Sequence, residues 1–321
     1  MTKIDSSPIN TFLDTGFRRH EGIMTRVVIF KKLLVLLALC ALLAPRAALA
    51  QQAVDVPYIS TPLNVVAAML EMARVSAGDY LIDLGSGDGR IVIEAAKRSG
   101  ARGMGVDLSA PLVNTANAAA RRERVAGQVT FVEGNLFHTD IGKATVITMY
   151  LLPSITLQLR PRILSQLRPG TRVVSHDFDM GAWMPDLERE VAVPNKRYGP
   201  PSSMVYLWYV PADVAGKWRW RLPVGGVTRL YETGISQRFQ ELVGEARVDG
   251  GGATWRSARL HGNLVEFTLV RESSGVQVVH EFSGRVEGDR IVGRVRISGG
   301  GENATLDWEA TRVERGRMAI E

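Results

Sequence analysis

At 321 residues, with 45% hydrophobic and 22% charged side chains, the chain is too long for one small core and too apolar for disorder, so two domains are expected. Its formal charge of +6 is concentrated early, where residues 1–50 hold seven Lys/Arg against three Asp/Glu. The remainder is close to balance, which excludes nucleic acid as an expected partner.

Residues 1–23 carry no hydrophobic period and read as an N-terminal extension, with Met24 an alternative initiator. Met24, Arg26, Lys31 and Lys32 then precede a 12-residue apolar run, Leu33 to Ala44, closed by Pro45 and by Ala48-Leu49-Ala50. A cationic start, a short apolar core and a small-x-small site form a signal-peptide pattern over 24–50. The run is too short for a stable membrane span. Cleavage after Ala50 leaves a chain beginning at Gln51 and directs it outward, to the periplasm. The alternative is membrane association through an uncleaved segment. Cys40, the only cysteine, falls inside the run, so the exported chain has no disulfide and no thiol nucleophile.

Val56-Pro-Tyr58-Ile-Ser-Thr61-Pro62 leads into an amphipathic run through Val65, Val66, Met69, Leu70, Met72 and Ala73, which reads as a helix. Next, Tyr80-Leu-Ile-Asp83-Leu ends an apolar strand on an acid, Gly85-Ser86-Gly87-Asp88-Gly89 turns, and a helix runs from Arg90 to Gly100. Glycines at alternate positions permit positive φ and let a ligand approach backbone at a helix N-terminus. Gly103 to Asp107 is a second strand with an acid at its carboxyl end, where a carboxylate can accept two ribose hydroxyls. Ser109 to Arg124 is a helix, and Val129 to Val132 a third strand leading to Asn135. Ala144 to Tyr150 is a fourth strand, and a helix with internal Pro161 follows. Gly170 to Ser175 is a fifth, and Leu187 to Val193 with Met204 to Val210 make a closing hairpin.

From Gly216 the period changes to two. Residues 218–222, 244–248, 264–270, 276–282, 291–297 and 306–310 read as strands of an antiparallel module, a small barrel or curved sheet. Its alternating arginines read as solvated strand faces. A ligand pocket inside it is left open.

The G-x-G-x-G spacing departs from the G-x-G-x-x-G of nicotinamide and flavin proteins. Asp83 to Arg90, Asp-Leu-Gly-Ser-Gly-Asp-Gly-Arg, with Asp107 beyond it, resembles motif I of the class I S-adenosylmethionine-dependent methyltransferases. With Pro57-Tyr58-x-x-Thr61-Pro62 ahead of it, the chain is most similar to the small protein-lysine methyltransferases and their bacterial relatives. The resemblance spans roughly 55–210 and implies an α/β fold: a seven-stranded Rossmann-like methyltransferase domain at 51–215, followed by a smaller antiparallel all-β, barrel-like domain at 216–321. It implies S-adenosyl-L-methionine as cofactor, held by Tyr58, Thr61, Asp83, Gly85, Ser86, Gly87, Gly89, Asp107 and Asn135. It places Tyr150, at the end of the fourth strand, beside the transferred methyl as the candidate catalytic residue. The implied reaction is N-methylation of a protein lysine, the alternatives being a small-molecule acceptor or an exported ligand-binding protein on a methyltransferase frame. No Asn/Asp-Pro-Pro-Tyr follows the fourth strand, which argues against methylation of adenine or glutamine amino groups. His176-Asp177-Phe178-Asp179 reads as substrate mouth, not as a metal site, for want of a second ligand segment. Gly216-Lys-Trp218 together with Arg312 resembles the lipocalin-like barrels. Export and a cytosolic cofactor pull in opposite directions.

Overall fold

The computed structural model describes residues 58–321, apart from Tyr198 and Ser274. The segment 24–50, expected to be a signal peptide, and Cys40 lie outside the described residues.

The first part of the chain is the expected α/β layer. Strands β1 (Tyr80–Leu84), β2 (Arg102–Asp107), β3 (Val129–Glu133), β4 (Val146–Met149), β5 (Arg172–His176), β6 (Leu187–Ala192) and β7 (Ser202–Tyr209) form one sheet in the order β3-β2-β1-β4-β5-β7-β6. The first five are parallel, and β7 runs antiparallel between β5 and β6. The order reverses at β1, so the carboxyl ends of β1 and β2 open the crevice in which such sheets bind ligands.

Helices α1 (Leu63–Met72), α2 (Arg90–Ser99) and α3 (Ala110–Arg122) cover one face, burying Val66, Met69, Ile91, Val92 and Ala116 against Leu81, Val174 and Leu207. Helix α2 stops at Gly100, with φ of 73° and Lys97 and Arg98 in its last turn, a left-handed stop with cations against the helix dipole. On the other face α4 (Pro153–Gln166) buries Leu159 and Ile163 against Ile82, Ile147 and Val173. At the amino ends of the strands, Asp79 accepts from Thr145 Oγ1 at 2.7 Å and pairs with Arg172, tying β1 to the segments that open β4 and β5.

The second part is a closed barrel rather than an open curved sheet. Its eight strands are β8 (Gly216–Val224), β9 (Val227–Arg238), β10 (Glu241–Val248), β11 (Gly251–His261), β12 (Leu264–Ser273), β13 (Val276–Glu287), β14 (Arg290–Gly299) and β15 (Glu302–Arg315), and β15 returns to β8. Six of them coincide with the expected segments. Strand β9 escapes the hydrophobic pattern because its inner positions include Arg229, Tyr231, Thr233 and Gln237. Strand β11 escapes because a bulge between Arg256 and Arg259, with Ser257 at φ of 51°, breaks the period of two.

Trp220, Phe267, Phe282 and Trp308 fill the barrel's middle with ring centroids 4.8 to 6.1 Å apart. The Arg312 guanidinium lies 4.6 Å above the Trp218 ring, donates to the carbonyls of Ala215 and Gly288 and pairs with Asp289, so this arginine is interior. The outward arginines are solvated as expected, in pairs such as Arg219 with Glu232 and Arg296 with Glu281.

The barrel meets the α/β layer at one end. Phe239, in the β9–β10 turn, is 1% exposed and joins Met180, Trp183 and Trp208 in one apolar cluster. Its ring stacks on Trp183 at 6.0 Å and faces the Arg160 guanidinium at 5.3 Å. Ala212 donates to the Gly262 carbonyl at 2.8 Å beside it. No helix among the described residues is long and apolar enough to cross a membrane.

Candidate active site

The glycine turn sits where β1 hands over to α2. Gly85, Gly87 and Gly89 all have positive φ, at 79°, 53° and 79°, which only glycine adopts without strain. The Gly85 and Ser86 amides both donate to the Val106 carbonyl, at 2.9 and 3.0 Å, which locks the turn onto β2. Ser86 is buried and its side chain fills the space above Gly105, so what it offers a ligand is backbone.

Asp107 organises the other wall. One carboxylate oxygen accepts from the Gly87 amide at 2.8 Å and the other from the Ser109 amide at 2.9 Å. Each oxygen keeps a further lone pair, so the carboxylate is oriented by the backbone and still able to accept two hydroxyls. Asn135, exposed beyond β3, accepts from the Phe137 amide at 2.8 Å through its side-chain oxygen, which leaves its amide nitrogen and one lone pair outward.

Asp83 lies beneath the turn, 2% exposed, accepting from Thr148 Oγ1 at 2.7 Å. Burial pushes its pKa up to about 7, against the pull of Thr148 and with repulsion from Asp107 and Asp88 adding to it. An interior carboxyl so placed favours a cation beside it.

Tyr58 closes the turn from above. A Cβ built on Gly87 would meet the Tyr58 ring at 2.2 Å, so the tyrosine, not open space, occupies that position. The Asp88 amide reaches the Tyr58 hydroxyl at 3.4 Å. Arg90 clasps Asp88 with nitrogens at 2.6 to 3.1 Å and donates to the Thr61 carbonyl at 2.9 Å, fastening the leading segment to the loop. At Asp88 burial pushes upward, but Arg90 outweighs it and holds the carboxyl below its ordinary range. Thr61 is buried, and its hydroxyl meets His176 Nδ1 at 3.2 Å instead of capping α1.

Tyr150 leaves β4 beside the end of β5. Its ring packs on His176 at 3.9 Å and stacks with Phe178 at 6.0 Å, and its hydroxyl reaches Asp177 at 3.5 Å. Burial and then the Asp177 charge raise its pKa, so the hydroxyl stays protonated. Asp177, at φ of 62°, accepts from Lys196 Nζ at 2.7 Å and from the Met204 amide at 3.0 Å. His176 is 1% exposed, held between Thr61 and Ser203, and burial lowers its pKa to about 4, leaving it neutral. Among the described residues no group of three or more His, Cys, Asp and Glu is placed to hold a metal ion.

The expected residues thus gather along one edge: Tyr58, Thr61 and the glycine turn over β1, Asp107 at β2, Asn135 beyond β3 and Tyr150 at β4. Sequence reasoning missed Thr148, the donor to Asp83, and Lys196 with Ser203, which come from the β6–β7 hairpin. Thr148 carries a legible signal, a hydroxyl in an otherwise apolar strand. Lys196 carries none.

The family described as ANTKMT methyltransferase domain matches residues 83–187. A protein-lysine N-methyltransferase of Saccharolobus islandicus (strain REY15A) is 45% identical over 131 residues, which is 40% of this chain and 81% of that relative. The adenine nucleotide translocase lysine N-methyltransferase of Mus musculus is 32% identical, over 41% of this chain and 57% of its own length. Among solved structures, an RNA methyltransferase from Salinibacter ruber in complex with S-adenosyl-L-homocysteine is 49% identical, covering 49% of this chain and 96% of that one, at a TM-score of 0.44. With its Asp83 to Arg90 turn, its 3-2-1-4-5-7-6 strand order and its lysine-methylating relatives, the chain belongs to the protein-lysine N-methyltransferases, a family of class I S-adenosylmethionine-dependent methyltransferases.

Proposed function

We propose that this chain methylates the ε-amine of a lysine in a protein, with Asp83, the Gly85–Gly89 turn, Asp107, Asn135, Tyr58 and Thr61 holding S-adenosyl-L-methionine. The arrangement fits that cofactor: a backbone-oriented carboxylate for the ribose at Asp107 and a buried carboxyl at Asp83 that favours a positive group. The cofactor supplies an activated methyl on a sulfonium, so the protein's task is alignment and exclusion of water.

The acceptor reading rests chiefly on one contact. Lys196 Nζ already sits on Asp177 at 2.7 Å, with the Tyr150 hydroxyl sharing that carboxylate. With Asp177 already neutralised by an internal cation, the corner receives an incoming lysine as its neutral amine, the form whose lone pair can attack a methyl. Tyr150 and Phe178 present stacked rings for the lysine stem. Tyr150 thus positions the amine and remains protonated throughout. The catalytic frame is 51–215 and the barrel at 216–321 a second domain, and residues 24–50 direct export; N-terminal sequencing of the secreted chain should begin at Gln51.

Incubation of the full chain with methyl-labelled cofactor and a lysate of its source cells tests the acceptor. Label on protein, released by hydrolysis as methyl-lysine and lost with Asp83→Ala, is the expected result. Label confined to small molecules or to RNA would overturn the lysine reading.

A further inference from the structure

The barrel has a second end, opposite Phe239, where the β8–β9, β10–β11 and β14–β15 turns form a mouth. Below it the inner face is aromatic. At the mouth it changes: Arg229 on β9, Arg271 on β12 and His280 on β13 alternate with the inward Tyr231, Leu269 and Phe282 and so share the inner face.

These groups are under-partnered. His280 is 0% exposed, and neither ring nitrogen makes a well-formed hydrogen bond among the described residues, the Leu269 backbone across the ladder offering a weak one. The Nε atoms of Arg229 and Arg271 are likewise buried without a partner. Arg229 reaches one acid, Asp249, at 3.0 Å, and the Asp249 carboxylate also feels the charge of Arg271. Burial, with Arg271 and Arg229 adding repulsion, lowers the His280 pKa to about 4, so the imidazole is neutral. Arg229 is thus matched by Asp249, whereas Arg271 makes no ion pair among the described residues. Interior charges and donors are costly to leave unmatched.

An apolar hollow lies next to His280. A cavity of about 230 Å³ is lined by Pro223, Val224, Gly225, Ile297, Asn303 and Ala304. Ile297 pairs in register with His280 on one side and Ala304 on the other, so the imidazole lies beside its wall.

We propose that the barrel mouth binds a small monoanionic carboxylate with a short apolar tail, its head held by Arg271 and Arg229 and by a hydrogen bond from His280, its tail against Val224, Ile297 and Ala304. A planar carboxylate matches the guanidinium fork, and one negative charge matches the one in surplus. The hollow is small for a ligand site, which limits the tail to a medium chain. The site is remote from the methyl-transfer edge and stands whether or not lysine is the acceptor.

Calorimetry on the full chain with octanoate, octan-1-ol and inorganic phosphate tests it. Octanoate should bind saturably, one per chain, and at least about tenfold more tightly than either other probe, as expected for a charge-assisted head group. Arg271→Met should weaken octanoate about tenfold or more, whereas the outward Arg294→Met should leave it unchanged. Ala304→Phe, which fills the hollow and keeps every polar group, should remove binding, and it decides the matter if the Arg271 variant does not fold. Absence of saturable octanoate binding, equal affinity for octan-1-ol, tighter binding of phosphate, or wild-type affinity in Ala304→Phe would each overturn the proposal.

Discussion

Replacing Asp83 by asparagine tests the electrostatics of the cofactor edge without touching its shape. Asparagine keeps a carbonyl to accept from Thr148 and cannot ionise. In the native chain the carboxyl holds its proton to about pH 7, whereas in the unfolded chain it loses it near about pH 4. Between those limits the native state binds more protons, so wild-type stability falls as pH rises and the loss is complete above the native pKa. Three decades of pH correspond to about 4 kcal/mol, an order-of-magnitude figure for a fully buried acid. Urea unfolding of the cofactor-free wild type and Asp83→Asn, at steps from about pH 3.5 to about pH 8.5, should show the variant's advantage near zero at the acid end, rising with pH and levelling off above the native pKa. Other titrating groups cancel in the difference. A difference that stays flat, or that favours wild type as pH rises, would refute the assignment of a strained interior carboxyl.

Asp107→Ala should weaken S-adenosyl-L-methionine by about 2 to 4 kcal/mol in calorimetry, losing ribose acceptors and the anchor on the Gly87 amide together. Gly87→Ala introduces a left-handed strain of about 1 to 2 kcal/mol and drives a Cβ into the Tyr58 ring; the stability of the cofactor-free chain should fall in denaturant unfolding, and adding Tyr58→Ala should restore part of it. Arg312→Met leaves the Ala215 and Gly288 carbonyls without their donor, whereas Asp289 keeps Arg315, so denaturant unfolding should show a loss of about 1 to 3 kcal/mol. Arg312→Lys should recover little, since the fork and the stacking on Trp218 are lost with the guanidinium.

The strand, turn and helix from Tyr80 to Ser99 were legible because an acid, spaced glycines and an apolar run each impose a local constraint, and those constraints agree. Asp107 was legible for a similar reason: it ends a strand at a fixed interval. Tyr58 was assigned by resemblance, and its ring over Gly87 is a contact between segments some 30 residues apart that no local pattern encodes. Lys196 on Asp177 was invisible because a loop and a hairpin must fold before the two meet. In the barrel the polar inner face of β9 and the bulge in β11 hid two strands, since alternation is readable only where the inward residues are apolar and the register is unbroken.

Two modules joined by a plain tether can part company, either being deleted, exchanged or shuffled with little trace on the other. Phe239 forbids that here. Its ring fills a socket made by Met180, Trp183 and Trp208, on a sheet face where α4 is the one helix among the described residues. A lineage that discarded the barrel would expose these tryptophans, and it would need a bulkier residue in α4 or in the Met180–Trp183 loop to refill the gap. A graft of this barrel onto another methyltransferase would require the matching socket to travel with it. The seam between the halves is thus inherited as a matched set of side chains on both sides of the junction, and relatives that carry the barrel should keep an aromatic residue at 239 together with large apolar ones at 180 and 183.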